Sequence, residues 1–176
     1  MTESTKDLLI EGMSDELRSS LDRFDPRFDD PSELGKLLLQ WLDGRAAAGL
    51  LGVLDLLRAR RAYPLSLIVL EAAWNSDLSP DRLGRVAEDW IGTVLYGLGD
   101  NAGGREVAEH ICKTAEGYGP AFNSDLGHLL LQWELPDLAG PLIIKAAAKL
   151  PGDMSAQFNL GVIKKLAGDW AESAEA

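Results

Sequence analysis

Leu126-Gly127 recurs 34 residues later as Leu160-Gly161. A period of that length is one supersecondary unit, too small to bury its own apolar face, so successive copies must cover one another. The unit is helical. Met13, Leu17, Leu21 and Phe24 form one stripe at helical spacing, Leu126, Leu129, Leu130 and Trp133 a second, and Leu160, Ile163 and Ala167 a third. The apolar residues are mostly Leu and Ala, strong helix formers, while the β-branched residues a sheet needs are few. No segment alternates with period two for long enough to make a strand.

Start signals punctuate the chain at short intervals. Asp30-Pro31-Ser32-Glu33 reads as a capping box, with a carboxylate to accept an orphan N–H and Pro where no N–H is missed. Ser79-Pro80 and Gly119-Pro120 repeat the device, Asp169-Trp170-Ala171-Glu172 is a further box, and Asp137 and Asp153 are further cap candidates. Pro64 and Pro141 are tolerable in a first turn, where N–H groups are free in any case. The pattern predicts helices near 5–24, 31–43, 46–61, 64–76, 80–98, 104–117, 120–134, 137–150, 154–167 and 169–176, joined by short turns as antiparallel neighbours.

From Asn123 the chain resembles one full tetratricopeptide repeat. Leu126 and Gly127 supply that family's Leu-Gly pair, Leu130 stands where Tyr is usual, Ala139, Ile143 and Ala146 fall at its small, large and small positions, and Pro151 closes the unit. Gln157-Phe158-Asn159-Leu160-Gly161 opens the next copy, with Gly168-Asp169-Trp170 as its turn. Ala108, Cys112, Ala115 and Pro120 repeat the second-helix spacing, and so, more loosely, do Tyr63, Ser66, Leu70 and Ala73. The resemblance implies an all-α fold, a right-handed α-solenoid of antiparallel helix pairs. Residues 1–30 are then an N-terminal helix and linker, and residues 31–176 the repeat domain, truncated or stunted in its last repeat. One feature departs from a regular array: Glu33–Trp41 (ELGKLLLQW) matches Asp125–Trp133 (DLGHLLLQW) at seven of nine positions, yet falls at the opposite place in a helix pair.

The formal charge of −11 argues against nucleic acid, which is bound through Lys and Arg with release of counterions. Cys112, the single cysteine, can form no intrachain disulfide. The first residues lack the basic start and apolar run of a signal peptide, and no apolar stretch is long enough for a membrane span. A cytoplasmic protein is expected.

Gly97-Leu98-Gly99-Asp100-Asn101-Ala102-Gly103-Gly104 has glycines near nucleotide-loop spacing, but the preceding residues read as helix and no Gly-Lys-Ser/Thr follows. It reads as a flexible turn. His110 and Cys112 fall on different sides of a helix, and Glu106 with His110 is too few ligands for zinc. Cys112 reads as core, without a base to activate it. The carboxylates Asp25, Asp29 and Asp30 lack calcium-loop spacing and read as a solvated turn. No catalytic residue, metal or cofactor is expected.

The resemblance implies a protein-interaction module whose first helices line a concave groove for a partner peptide or protein. Carried onto the two best-matching repeats, the groove residues are Ser124, His128, Leu131 and Gln132, then Ser155, Phe158, Val162 and Lys165; Trp90 is a further candidate, while the other tryptophans read mostly as core. The branch of the family that clamps a terminal carboxylate uses Lys, Arg and Asn, and Asn159 alone matches. The alternatives are a dedicated secretion-type chaperone and the front of a longer multidomain enzyme.

Overall fold

The structure, a computed structural model, describes residues 13–42 and 47–168. Among these residues every regular element is helical: α1 (Asp15–Arg23), α2 (Pro31–Leu42), α3 (Ala47–Ala59), α4 (Tyr63–Trp74), α5 (Pro80–Gly92), α6 (Asn101–Ala115), α7 (Pro120–Gln132), α8 (Pro136–Lys149) and α9 (Met154–Ala167). The helix expected over 80–98 is α5 continued by a π-helical turn, Thr93–Gly97, and α6 ends in a 3-10 turn, Glu116–Tyr118. The beginning of the helix expected at 5–24 and all of that expected at 169–176, with its capping box, lie outside the described residues.

Proline sets several of the starts. Pro31, Pro80, Pro120 and Pro136 each occupy the first helical position, where the ring fixes φ and no hydrogen bond is lost. Asp30 caps α2, its Oδ1 accepting from the Ser32 backbone N–H at 2.9 Å and from Ser32 Oγ at 2.7 Å. Glu33 pairs with Lys36 at 2.6 Å. Asp153 caps α9 through the Ala156 N–H at 2.8 Å, and Ser14 caps α1 through Leu17 at 3.2 Å.

Two local expectations need correction. Asp137 is not a cap: α8 begins one residue earlier, and its carboxylate pairs with the guanidinium of Arg105 from α6. Pro141 lies in the second turn of α8, so it leaves the Asp137 carbonyl without its usual intrahelical donor.

The chain divides into two compact units between Gly99 and Asp100. In the first, α1 packs on α2, α2 and α3 both pack on α4, and α4 packs on α5. Met13, Leu17 and Leu21 are buried, and Arg60 pairs with Asp22 at 2.6 Å, so the N-terminal helix belongs to this unit's core rather than standing apart from it. Asp89 of α5 is buried and holds two arginines: Arg85 one turn away, at 3.2 Å, and Arg58 of α3. A buried carboxylate needs such partners, because desolvating it unpaired is costly.

In the second unit α8 packs against α7, α9 and α6, and α7 also touches α6 and α9. The repeat's small and large positions are its core: Ala139, Ile143 and Ala146 are fully buried. A Cβ on Gly127 would lie 2.5 Å from Ile143 Cγ1, so the helices approach as the Leu-Gly pair predicts. In the preceding copy, Ala108, Ile111 and Ala115 are fully buried, while Cys112 is only half-buried.

Candidate partner-binding face

The groove residues of α7 and α9 fall in one unit, on helices that touch. On α7, His128 and Gln132 are exposed and Leu131 is half-buried; on α9, Ser155, Phe158 and Lys165 are exposed and Val162 is half-buried. Phe158 is 67% exposed, so it is a surface residue rather than part of the core.

A polar chain joins the two helices. His128 Nδ1 lies 3.2 Å from Asn159 Oδ1, and His128 Nε2 lies 3.0 Å from Gln132 Nε2. These partners select the neutral tautomer with the proton on Nδ1: it donates to the Asn159 oxygen, and Nε2 accepts from the Gln132 amide. Asn159 is 4% exposed and turned toward His128, which removes it from any carboxylate clamp.

Beside this chain an open cleft of about 650 Å³ runs along α9, lined by Pro151, Gly152, Asp153, Met154, Gln157, Phe158, Gly161, Val162 and Lys165. The structure thus brings Phe158, Val162 and Lys165 to one surface. Gln157 is fixed in place, its Nε2 donating to the carbonyls of Ala147 at 3.0 Å and Leu150 at 3.3 Å.

Two nominated residues do not belong to an open face. Trp90 is 8% exposed and packed in the first unit with Val86, Ala87 and Ile91 of its own helix, also buried. Ser124 is 5% exposed, inside the second unit. Reasoning from the family spacing missed Met154, which is 87% exposed at the mouth of the cleft. Its signal was present: 154, 158, 162 and 165 fall on one helical stripe directly after the Asp153 cap.

The Gly-rich segment is not a flexible turn throughout. Gly103 and Gly104 are helical residues of α6, and Gly97 packs against the ring of Tyr63. The Gly103 N–H donates to Asp100 Oδ1 at 2.9 Å. The chain's own carboxylate therefore occupies the end of α6 where a phosphate would have to sit. In the first linker, Asp25 receives the Arg27 guanidinium at 2.9 and 2.6 Å, which holds its carboxyl down at about 2. Burial, helped by Glu109, pushes the Cys112 thiol up to about 11, the opposite of what a nucleophile needs. Among the described residues no three of His, Cys, Asp and Glu gather as metal ligands, and no helix is long and apolar enough to cross a membrane. No protein-family model, curated protein or solved structure matches this chain.

Proposed function

We propose that this chain is a non-catalytic protein-binding module of the tetratricopeptide-repeat kind, working in the cytoplasm. Its helix pairs stack antiparallel into a right-handed superhelix, and the α7–α9 face of its second unit takes a partner peptide. The exposed Phe158 supports this reading most. The unit buries the large side chains of its repeat positions, yet leaves an aromatic ring 67% exposed beside a cleft that also holds Val162 and Met154. Helical grooves recognise partners through a few apolar anchors, with polar groups fixing register. Phe158, Val162 and Met154 are the anchors, and His128, Gln132 and Lys165 the polar groups. The acidic surface excludes nucleic acid from the role.

The test is a peptide-display selection on the immobilised full chain, followed by affinity measurement on the selected peptides. Phe158→Ala weakens binding by about 1–3 kcal/mol, roughly ten- to a hundredfold. Lys165→Glu acts mainly on the association rate and its salt dependence. Selected peptides that bind Phe158→Ala as tightly as the parent would place recognition elsewhere.

A further inference from the structure

Gly127 and Gly161 are each the eighth residue of their helices, α7 and α9, and each follows a leucine. Over Gly127 lies α8: a Cβ there would meet Ile143 Cγ1 at 2.5 Å and the Ala139 carbonyl oxygen at 3.5 Å. Gly161 instead forms part of the floor of the open cleft, between Gln157 on one flank and Phe158 and Val162 on the other. A glycine trough of this shape is made to receive another backbone at close range.

Three observations identify what fills it. First, Gly168 ends α9 in the left-handed conformation, φ 90° and ψ 3°, its N–H returning to the Lys164 and Lys165 carbonyls. That geometry stops the helix and turns the chain away from its axis. Secondly, the next residues are Asp169-Trp170-Ala171-Glu172-Ser173-Ala174-Glu175-Ala176, three carboxylates and no cation. From Pro136 to Ala167 the chain carries Lys145, Lys149, Lys164 and Lys165 against Asp137 and Asp153, a local excess of positive charge in an acidic protein. Thirdly, the 34-residue period sets Ser173 where Ala139 stands in the preceding copy, and Ala139 is the small, fully buried residue that meets Gly127.

We propose that residues 169–176 of this chain occupy the Gly161 trough, covering α9 as α8 covers α7. Small residues face the glycine, Trp170 supplies the apolar area, and the carboxylates lie toward the lysines. Residue nine of α7, His128, stays exposed although residue eight is covered. By the same geometry Val162 and Phe158 stay open on the far flank, so the segment forms one wall of the cleft. The inference uses the flank opposite the proposed peptide anchors and stands independently of that reading.

A thiol at position 173 reports the contact. In the full chain carrying Cys112→Ser and Ser173→Cys, modification by a thiol reagent is expected to be about tenfold or more slower than in the urea-unfolded chain. The protection is expected to be independent of protein concentration. Adding Trp170→Ala, or separately Gly161→Leu, restores the unfolded rate while circular dichroism shows the helices retained. Trp170→Ala lies in the segment itself, so it remains informative if Gly161→Leu fails to fold. A thiol modified at the unfolded rate in the starting chain overturns the proposal, as does protection insensitive to Trp170→Ala. Protection that grows with protein concentration overturns it in favour of a second copy. None of these readouts involves a peptide ligand, so loss of the proposed binding function would leave them unchanged.

Discussion

Replacing Gly127 tests the helix contact on which the repeat reading depends. Alanine in a helix interior is favoured over glycine by about 1 kcal/mol, so Gly127→Ala on an open helix would stabilise. Here the new methyl would lie 2.5 Å from Ile143 Cγ1 and 3.1 Å from its Cδ1. Ile143 is fully buried, and a β-branched side chain in a helix has one strongly preferred χ1 rotamer, so its γ carbon cannot swing aside cheaply. Overpacking of this kind costs about 1–3 kcal/mol. The two terms oppose, and Gly127→Ala is expected to destabilise by up to about 2 kcal/mol. Gly127→Leu, which adds more atoms to the same gap without a larger propensity gain, falls at the upper end of the overpacking range or beyond.

A double-mutant cycle with Ile143→Ala separates the clash from general damage. Ile143→Ala alone is expected to cost about 2–5 kcal/mol through lost burial and the cavity left behind. It also removes the carbon that obstructs position 127, so in its background Gly127→Ala becomes neutral or stabilising. The coupling should be about 1–2 kcal/mol, well outside the 0.5 kcal/mol or so within which independent sites add. Urea unfolding followed by circular dichroism reads it, with equal m-values required across the four proteins. Additive effects, or Gly127→Ala stabilising by the full propensity term, would show that α7 and α8 do not meet there. Gly117→Ala is the control, since nothing lies within 4 Å of a Cβ at that position.

Asp100→Ala removes the carboxylate that accepts from Gly103 N–H and should cost about 1 kcal/mol, read as a lower melting temperature. Phe158→Ala is expected to change stability by less than about 0.5 kcal/mol, because the ring is already mostly in water, so a binding loss in that variant would be local. Asp25, Asp30 and Asp137 all have lowered carboxyl pKa values, through Arg27, Ser32 and Arg105 respectively. A folded pKa below the unfolded value means their contribution is complete above about pH 4 and is lost as pH falls further, for Asp25 through about 2. Urea midpoints measured against pH should therefore fall below about pH 4, and more shallowly in Asp137→Asn. Equal slopes in the two proteins would mean that the Arg105 pair does not form in solution.

Most element positions were legible because proline and caps act locally. Pro31, Pro80 and Pro120 each fix a start through their own φ and missing N–H, whatever packs above them. Asp137 misled because the same local rule had two solutions one residue apart, and Pro136 at the first position won. Its carboxylate was then free for Arg105, an ion pair across 32 residues that no local pattern encodes. The groove was half legible. The family spacing found Phe158 and Val162, but it nominated Ser124 and Trp90, whose burial depends on neighbours in three dimensions.

The two nearly identical segments show where such reading stops. DLGHLLLQW in α7 and ELGKLLLQW in α2 both use their glycine for a close contact. A Cβ on Gly35 would lie 2.6 Å from Ile68 Cδ1, much as one on Gly127 would meet Ile143. But Ile143 is on the next helix, 16 residues on, whereas Ile68 is on α4, two helices and 33 residues on. The motif therefore encodes a face that admits an isoleucine, not the helix that delivers it. In the second unit the turn at 133–135 is too short for anything but α8 to arrive there. In the first, α3 packs on α4 as α2 does, so α4 takes the place beside Gly35. The apparent misplacement of ELGKLLLQW thus follows from a change of partner, with the glycine contact itself preserved.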